Sequence, residues 1–133
     1  MSSLVADTHA MVWYLLSSDR ISPKAMAAFD ETLATGDPVF LPSICLVEII
    51  YLVEKGRLPK EAFVRLNIVL SEQDSGYKVA PLDLDTTLAI QRIPREAVPD
   101  MPDRIVAATA LFLNLPLVTK DKKIEAAGIN TIW

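Results

Sequence analysis

Apolar residues along this chain follow two rhythms, which alternate from end to end. Short unbroken apolar runs, each bounded by polar or turn residues, read as buried strands: SLVAD (3–7), PVFLP (38–42), YKVAPL (77–82), LPLVT (115–119) and NTIW (130–133). Between them the apolar positions return every three or four residues, the period of a helix packed on one face. Those stretches are THAMVWYLLSS (8–18), SPKAMAAFDETLATG (22–36), SICLVEIIYLVEKG (43–56), PKEAFVRLNIVLSEQ (59–73), DLDTTLAIQRI (83–93), 101–114 and a short one from Lys120. The pattern turns Trp13 and Leu16 inward in the first helix, and Val47, Ile50 and Tyr51 inward in the third. Ser22 and Ser43 stand as N-caps, Pro23 at a first helical position, and Gly36 and Gly56 as terminators. The connection after Gly56 is so short that the helices around it should form an αα-hairpin.

Strands that are apolar throughout and separated by helices imply a parallel sheet covered on both faces. With 133 residues, 51% of them hydrophobic, and no repeat, linker or low-complexity tract, one α/β domain over 1–133 is expected. No apolar run reaches the length of a membrane span, and MSSLVADTHA lacks a basic region followed by a greasy one, so a soluble cytoplasmic protein is expected. The single Cys45 fits a reducing compartment, and its apolar neighbours mark it as a core thiol. A net charge of −4 argues against a simple nucleic-acid-binding module, whose phosphate contacts need a basic face. It leaves open an enzyme whose acids hold cations, because bound ions reverse the local field.

The acids are the informative residues. In VPDMPDRIVAATALF (98–112), Asp100 and Asp103 head a helix that carries no charge after Arg104 until Lys120. Two acids there can cap the helix and favour its positive end, or belong to a site completed elsewhere. Ala107, one turn after Asp103, would leave that face open. In an open parallel sheet the functional crevice lies beyond the carboxyl ends of the strands. Asp7 ends the first strand, Glu48 sits in the second turn after the second, Asp103 precedes the fourth and Asp121 follows it. Each has an ordinary explanation alone: a cap for Asp7, the edge of an apolar stripe for Glu48, a cap or a pairing with Lys122 or Lys123 for Asp121. Together they form a cluster, and two carboxylates about 5 Å apart repel by roughly 3 kcal/mol at an effective dielectric of about 20. Such a cluster needs protons or cations. Oxygen ligands without His or Cys favour Mg²⁺ or Mn²⁺ over zinc, and a pair of such ions suits phosphodiester hydrolysis.

The stretches VADTHAMVWYLL, LVEIIYLVEKGRL, VPDMPDRIVAATAL and LPLVTKD resemble the motifs of PIN-domain ribonucleases, above all VapC-type toxins of prokaryotic toxin–antitoxin pairs. The resemblance implies a three-layer α/β/α sandwich with a central, mostly parallel and usually five-stranded sheet. It also implies Mg²⁺- or Mn²⁺-dependent endonucleolytic cleavage of RNA. Carried over by position, it makes Asp7, Glu48, Asp103 and Asp121 the catalytic, metal-holding acids. Thr119 becomes the hydroxyl beside the last acid, with Asp100 and Ser43 as supporting residues. Cys45 stands where the family often has a small hydroxyl residue three before the Glu, which puts one supporting hydrogen bond in doubt.

As partners the resemblance implies a homodimer and a small antitoxin that wraps the toxin and blocks the acidic site, often with an inserted arginine. His9 is expected to pack or cap rather than act as a base. Trp13, Tyr14 and Tyr51 are expected in the core or an interface rather than in a base-stacking platform. Lys55, Arg57, Arg92, Arg95 and Lys120 are candidates for guiding RNA. Two rival readings remain: a PIN-type nuclease that acts on RNA or DNA without an antitoxin, and a PIN-derived binding module that no longer cleaves. Retention of all four acids argues against the second, since a binder of polyanions gains nothing from an unneutralised acidic pocket.

Overall fold

The apolar runs pair into one sheet. A computed structural model describes residues 3–133. In chain order it has β1 (Leu4–Ala6), α1 (Thr8–Leu15), α2 (Pro23–Ala34), β2 (Val39–Pro42), α3 (Ser43–Glu54), α4 (Lys60–Ser71) and β3 (Tyr77–Ala80). There follow α5 (Leu84–Ala89) with a 3-10 turn (Ile90–Arg92), α6 (Met101–Leu113), β4 (Leu117–Val118), α7 (Lys122–Ala126) and β5 (Thr131–Ile132). All five strands are parallel, in the order β3-β2-β1-β4-β5. Successive residues of β1 point to opposite faces, and all three are buried, so helices cover the sheet on both sides. Among the described residues no helix is long and apolar enough to cross a membrane.

The strand order fixes where a site can form. From β1 the chain winds outward through β2 to β3, then returns to lay β4 against the other side of β1 and continues to β5. The winding direction therefore reverses between β1 and β4, and a crevice opens beyond their carboxyl ends. Val5 pairs with Leu117 and Ala6 with Val118, so the next residues, Asp7 and Thr119, meet at that edge. The amide of Asp7 donates to the carbonyl of Val118 at 3.1 Å, which carries the ladder up to the crevice.

The uncharged helix read from the sequence is α6, whose residues Ile105 to Ala110 are all buried. Asn114 ends it in the left-handed conformation at φ 55°, one of the few non-glycine residues that accept it. Ala107 does not leave an open face. It is fully buried, and its small side chain lets α6 approach β1 and α3.

Four further local expectations are corrected. Pro42, not Ser43, is the N-cap of α3; Ser43 is its first helical residue, and its hydroxyl accepts from the Leu82 amide at 3.1 Å. Helix α3 is also rotated from the expected stripe: Cys45 and Ile49 are buried, whereas Val47, Ile50 and Tyr51 are exposed by 47%, 39% and 58%. The helix is so apolar overall that spacing alone could not tell which face meets α1, α4 and α6. In α1 the buried residues are Thr8, Ala10, Met11 and Val12, with Trp13, and Leu16 just past its end, only half-buried. That helix also stops at Leu15, where Ser17 turns the chain at φ 53°. The αα-hairpin of α3 and α4 forms as expected, with Gly56 at φ 73° in the turn.

Candidate active site

Three acids at the crevice, Asp7, Asp100 and Asp121, are helix caps. Asp7 follows β1 and caps α1: its Oδ1 accepts from the Ala10 amide at 2.9 Å. The Thr119 hydroxyl faces the same carboxylate across the β1–β4 junction and favours its charged form. Thr119 Oγ1 in turn accepts from the Asp121 amide at 3.1 Å, and Asp121 caps α7 through the Lys123 and Ile124 amides at 2.8 and 3.4 Å. Asp100 caps α6 by accepting from the Asp103 amide at 3.1 Å. Capping and membership of the cluster are therefore compatible roles. The caps hold the carboxylates at the edge of the sheet.

Glu48 arrives from α3 and is held from the neighbouring element. The buried hydroxyl of Thr8 donates to its Oε1 at 2.6 Å. Thr8 also lies against Cys45, whose thiol burial pushes well above its ordinary acidity range, so Cys45 is an inert core residue. The hydrogen bond to Glu48 that Cys45 put in doubt is supplied by Thr8.

Burial and crowding change the chemistry of these acids. Asp103 is pushed up to about 7, first by burial and then by the negative charges of Asp100, Asp121 and Glu48. A hydrogen bond that its protonated form donates to Asp121 acts in the same direction. Asp7 is also raised, because burial outweighs the hydrogen bonds from Thr119 and Ala10. None of the four carboxylates is ion-paired with a Lys or Arg among the described residues. Excess negative charge, oxygen donors and the lack of a protein counter-ion suit a hard divalent cation. The donors do not form a finished shell: among the described residues no three His, Cys, Asp or Glu side chains already stand as a ligating group.

Asp7, Asp103 and Asp121 line one open cavity of about 540 Å³, together with His9, Trp13, Arg20, Lys120 and Trp133. Glu48 does not line it and couples to the cluster through Thr8 and through its charge on Asp103. Of the proposed guiding cations, Lys120 alone lines the cavity. Lys55 rests over Tyr51 at 6.0 Å and Arg57 lies beyond it, Arg92 closes the 3-10 turn, and Arg95 borders a separate surface hollow. Ser43 makes no hydrogen bond to the acids. His9 is exposed at the cavity wall, its ring 5.5 Å from Trp13. The sequence reading overlooked Thr8, Arg20 and Trp133. Thr8 had a signal, a hydroxyl next to Asp7 at the start of an apolar helix, whereas Arg20 and Trp133 reach the cavity only through loop and strand geometry.

The sequence matches the PIN domain over residues 4–130. The chain belongs to the PIN-domain family. That family is typically one of nucleases and is generally metal-dependent. No curated protein matches this chain. Among solved structures, VapBC2 from Rickettsia felis bound to a promoter DNA fragment is similar at TM-score 0.71 and 19% identity, covering 97% of this chain and 96% of that one. DNA-bound VapBC from Salmonella typhimurium is similar at 0.71 and 20%, covering 98% and 97%. A toxin–antitoxin complex from Klebsiella pneumoniae is similar at 0.67 and 20%, covering 98% and 96%. At such identity these likenesses establish the PIN fold.

Proposed function

We propose that this PIN-domain protein is a Mg²⁺- or Mn²⁺-dependent endoribonuclease and the toxin of a toxin–antitoxin pair. The observation that carries the reading is the unpaired acid cluster at the β1–β4 switch point, crowded enough to hold Asp103 near 7. Asp7, Asp103 and Asp121 would supply oxygens to the ions, with Glu48 completing the set. When bound, the divalent ions neutralise phosphate charge and lower the pKa of water at a phosphodiester. Thr119 keeps Asp7 and Asp121 in register across the strand junction, and Thr8 holds Glu48 toward the cluster. Asp100 fixes the first turn of α6 and adds charge against Asp103. A divalent cation held there would compete with the proton that burial and neighbouring acids favour on Asp103, so its affinity should rise with pH toward neutrality.

The toxin role draws support from the similar complexes, several of which contain an antitoxin or promoter DNA. It is also supported by the exposed apolar residues Val47, Ile50 and Tyr51 of α3 and Val64 and Ile68 of α4, a surface suited to protein contact. A homodimer, a small antitoxin that inserts an arginine among the acids, and a cytoplasmic location belong to the same reading. Protein freed of any partner should cleave total RNA in Mg²⁺ or Mn²⁺ and stop on chelation. Undiminished cleavage in excess EDTA would overturn the metal-dependent mechanism.

A further inference from the structure

The wall of the acidic cavity has its own chemistry. Trp13 of α1 and Trp133, which follows β5, meet with ring centroids 5.8 Å apart at an interplanar angle of 58°. The Lys120 ammonium lies 5.2 Å from the Trp13 centroid, and Arg20 lines the same cavity. Both indoles are half-buried, and neither N–H has a protein hydrogen-bond acceptor among the described residues. A tryptophan placed only to fill a core has no need of an open cavity. Here two indoles from distant parts of the chain border the cavity that the acids line.

We infer that Trp13, Trp133, Lys120 and Arg20 form a nucleobase subsite, which receives one unstacked base of single-stranded RNA beside the phosphate held at the acids. This rests on the ribonuclease reading above. An indole face accepts any base by stacking, and neighbouring cations take the flanking phosphate. Trp13 already carries Lys120, His9 and Trp133 against it, so Trp133, with fewer ring partners, is the stacking surface. Lys120 and Arg20 are not paired with the acids, which leaves their charge for the phosphate backbone. A base inside a duplex cannot reach a tilted indole, so the substrate is a loop, an end or an unpaired segment. A protein partner placing an arginine or aromatic side chain on the same rings is the competing occupant. The two cations on this wall favour the polyanion.

The chain's two tryptophans are both in this wall, so intrinsic fluorescence reads the subsite directly. The probe is a single-stranded RNA oligonucleotide titrated into full-length Asp103→Asn protein in Mg²⁺. It should quench the emission, while the same sequence as a duplex should quench far less. In otherwise unaltered protein, Trp133→Leu should raise KM for single-stranded RNA roughly 10- to 100-fold with kcat within about twofold, the loss expected from removing one stacking ring. Trp133→Phe should recover most of that loss. An RNA abasic at the base flanking the cleaved bond should be cut equally poorly by Trp133→Leu and its parent.

Unchanged KM in Trp133→Leu, equal quenching by duplex and single strand, or a loss that persists on the abasic RNA would overturn the assignment. A kcat defect with unchanged KM would make the wall a support for the acids and also overturn it. So would weakened binding of a partner protein with RNA kinetics intact. Quenching by single-stranded RNA without any cleavage by the parent would remove the nuclease reading while leaving the base subsite standing.

Discussion

Asp7 and Asp83 do the same local job in opposite surroundings. Each caps a helix by accepting from the amide three residues on, at 2.9 Å in both cases. At Asp83, on the open surface at the start of α5, the bonds from Thr86 hold the carboxyl below the ordinary aspartate range. At Asp7 the same bond, joined by one from Thr119, is outweighed by burial, and the carboxyl is raised instead. Asp103, in the first turn of the helix that Asp100 caps, is raised as well, to about 7. The cap geometry is therefore silent about function. What distinguishes a structural aspartate from a member of the site is which strand edge it stands on and how many other acids share that edge.

The sharpest way to break this contrast is to neutralise one acid of each kind. Asp103→Asn should reduce RNA cleavage below detection, while Asp83→Asn should leave it within about twofold. Without metal, Asp103→Asn should melt higher, since it relieves roughly 1–3 kcal/mol of like-charge repulsion at an effective dielectric of about 20. It should also lose most of the mass-action stabilisation that Mn²⁺ gives the parent, about 2.7 kcal/mol at a hundredfold excess over Kd. Asp83→Asn should melt slightly lower with or without Mn²⁺. If Asp103→Asn melted lower and still cleaved, the two aspartates would be alike and the site reading would fail.

The same contrast has a pH signature of opposite sign. Asp103 binds its proton up to about 7 in the folded chain and only to the ordinary aspartate value when unfolded. Between those values the folded state holds the extra proton, so its stabilisation is complete in acid and is lost as pH rises toward 7. Asp83, lowered on folding, stabilises above its unfolded value and loses that contribution as pH falls through the lowered one. Melting of the metal-free protein across pH 4 to 7 should therefore show a downward slope that Asp103→Asn flattens and Asp83→Asn does not. Equal slopes in all three proteins would show that crowding at Asp103 does not survive in solution.

A smaller effect separates placement from charge. Thr8→Val removes the hydroxyl that holds Glu48 and should lower kcat roughly tenfold with little change in metal-free stability, while Thr8→Ser should restore it. Full activity in Thr8→Val would mean that Glu48 needs no orientation from α1.

Much of this arrangement was legible in the chain itself. Unbroken apolar runs separated by helices specify a parallel sheet, and an acid just past a strand end marks the edge where ligands gather. The clearest failure came at α3, where nearly every position from Ile44 to Val53 is apolar apart from Glu48. A helix so rich in apolar residues has no single best face, and only packing against α1, α4 and α6 chose Cys45 and Ile49 over Val47 and Tyr51. Trp13 was underestimated for a related reason. Helical spacing reports that a residue faces its own protein, and it cannot say whether it meets a core or the wall of a cavity. Arg20 and Trp133 were invisible because their contribution depends on where a loop and an edge strand end in space.

The sheet order also bears on timing. The strand that leads into Asp7 comes first, but its neighbour β4, Leu117–Val118, with Thr119 and Asp121 just beyond, comes more than a hundred residues later. A nascent polypeptide that has emerged as far as α6 holds Asp7, Glu48 and Asp103, yet lacks both the strand that turns β1 into an interior rung and the hydroxyl that orients its aspartate. The crevice is sealed by long-range parallel pairing, so it closes late in synthesis. If the proposed site is correct, a chain truncated before β4 should lack a complete acid edge and should not cleave RNA.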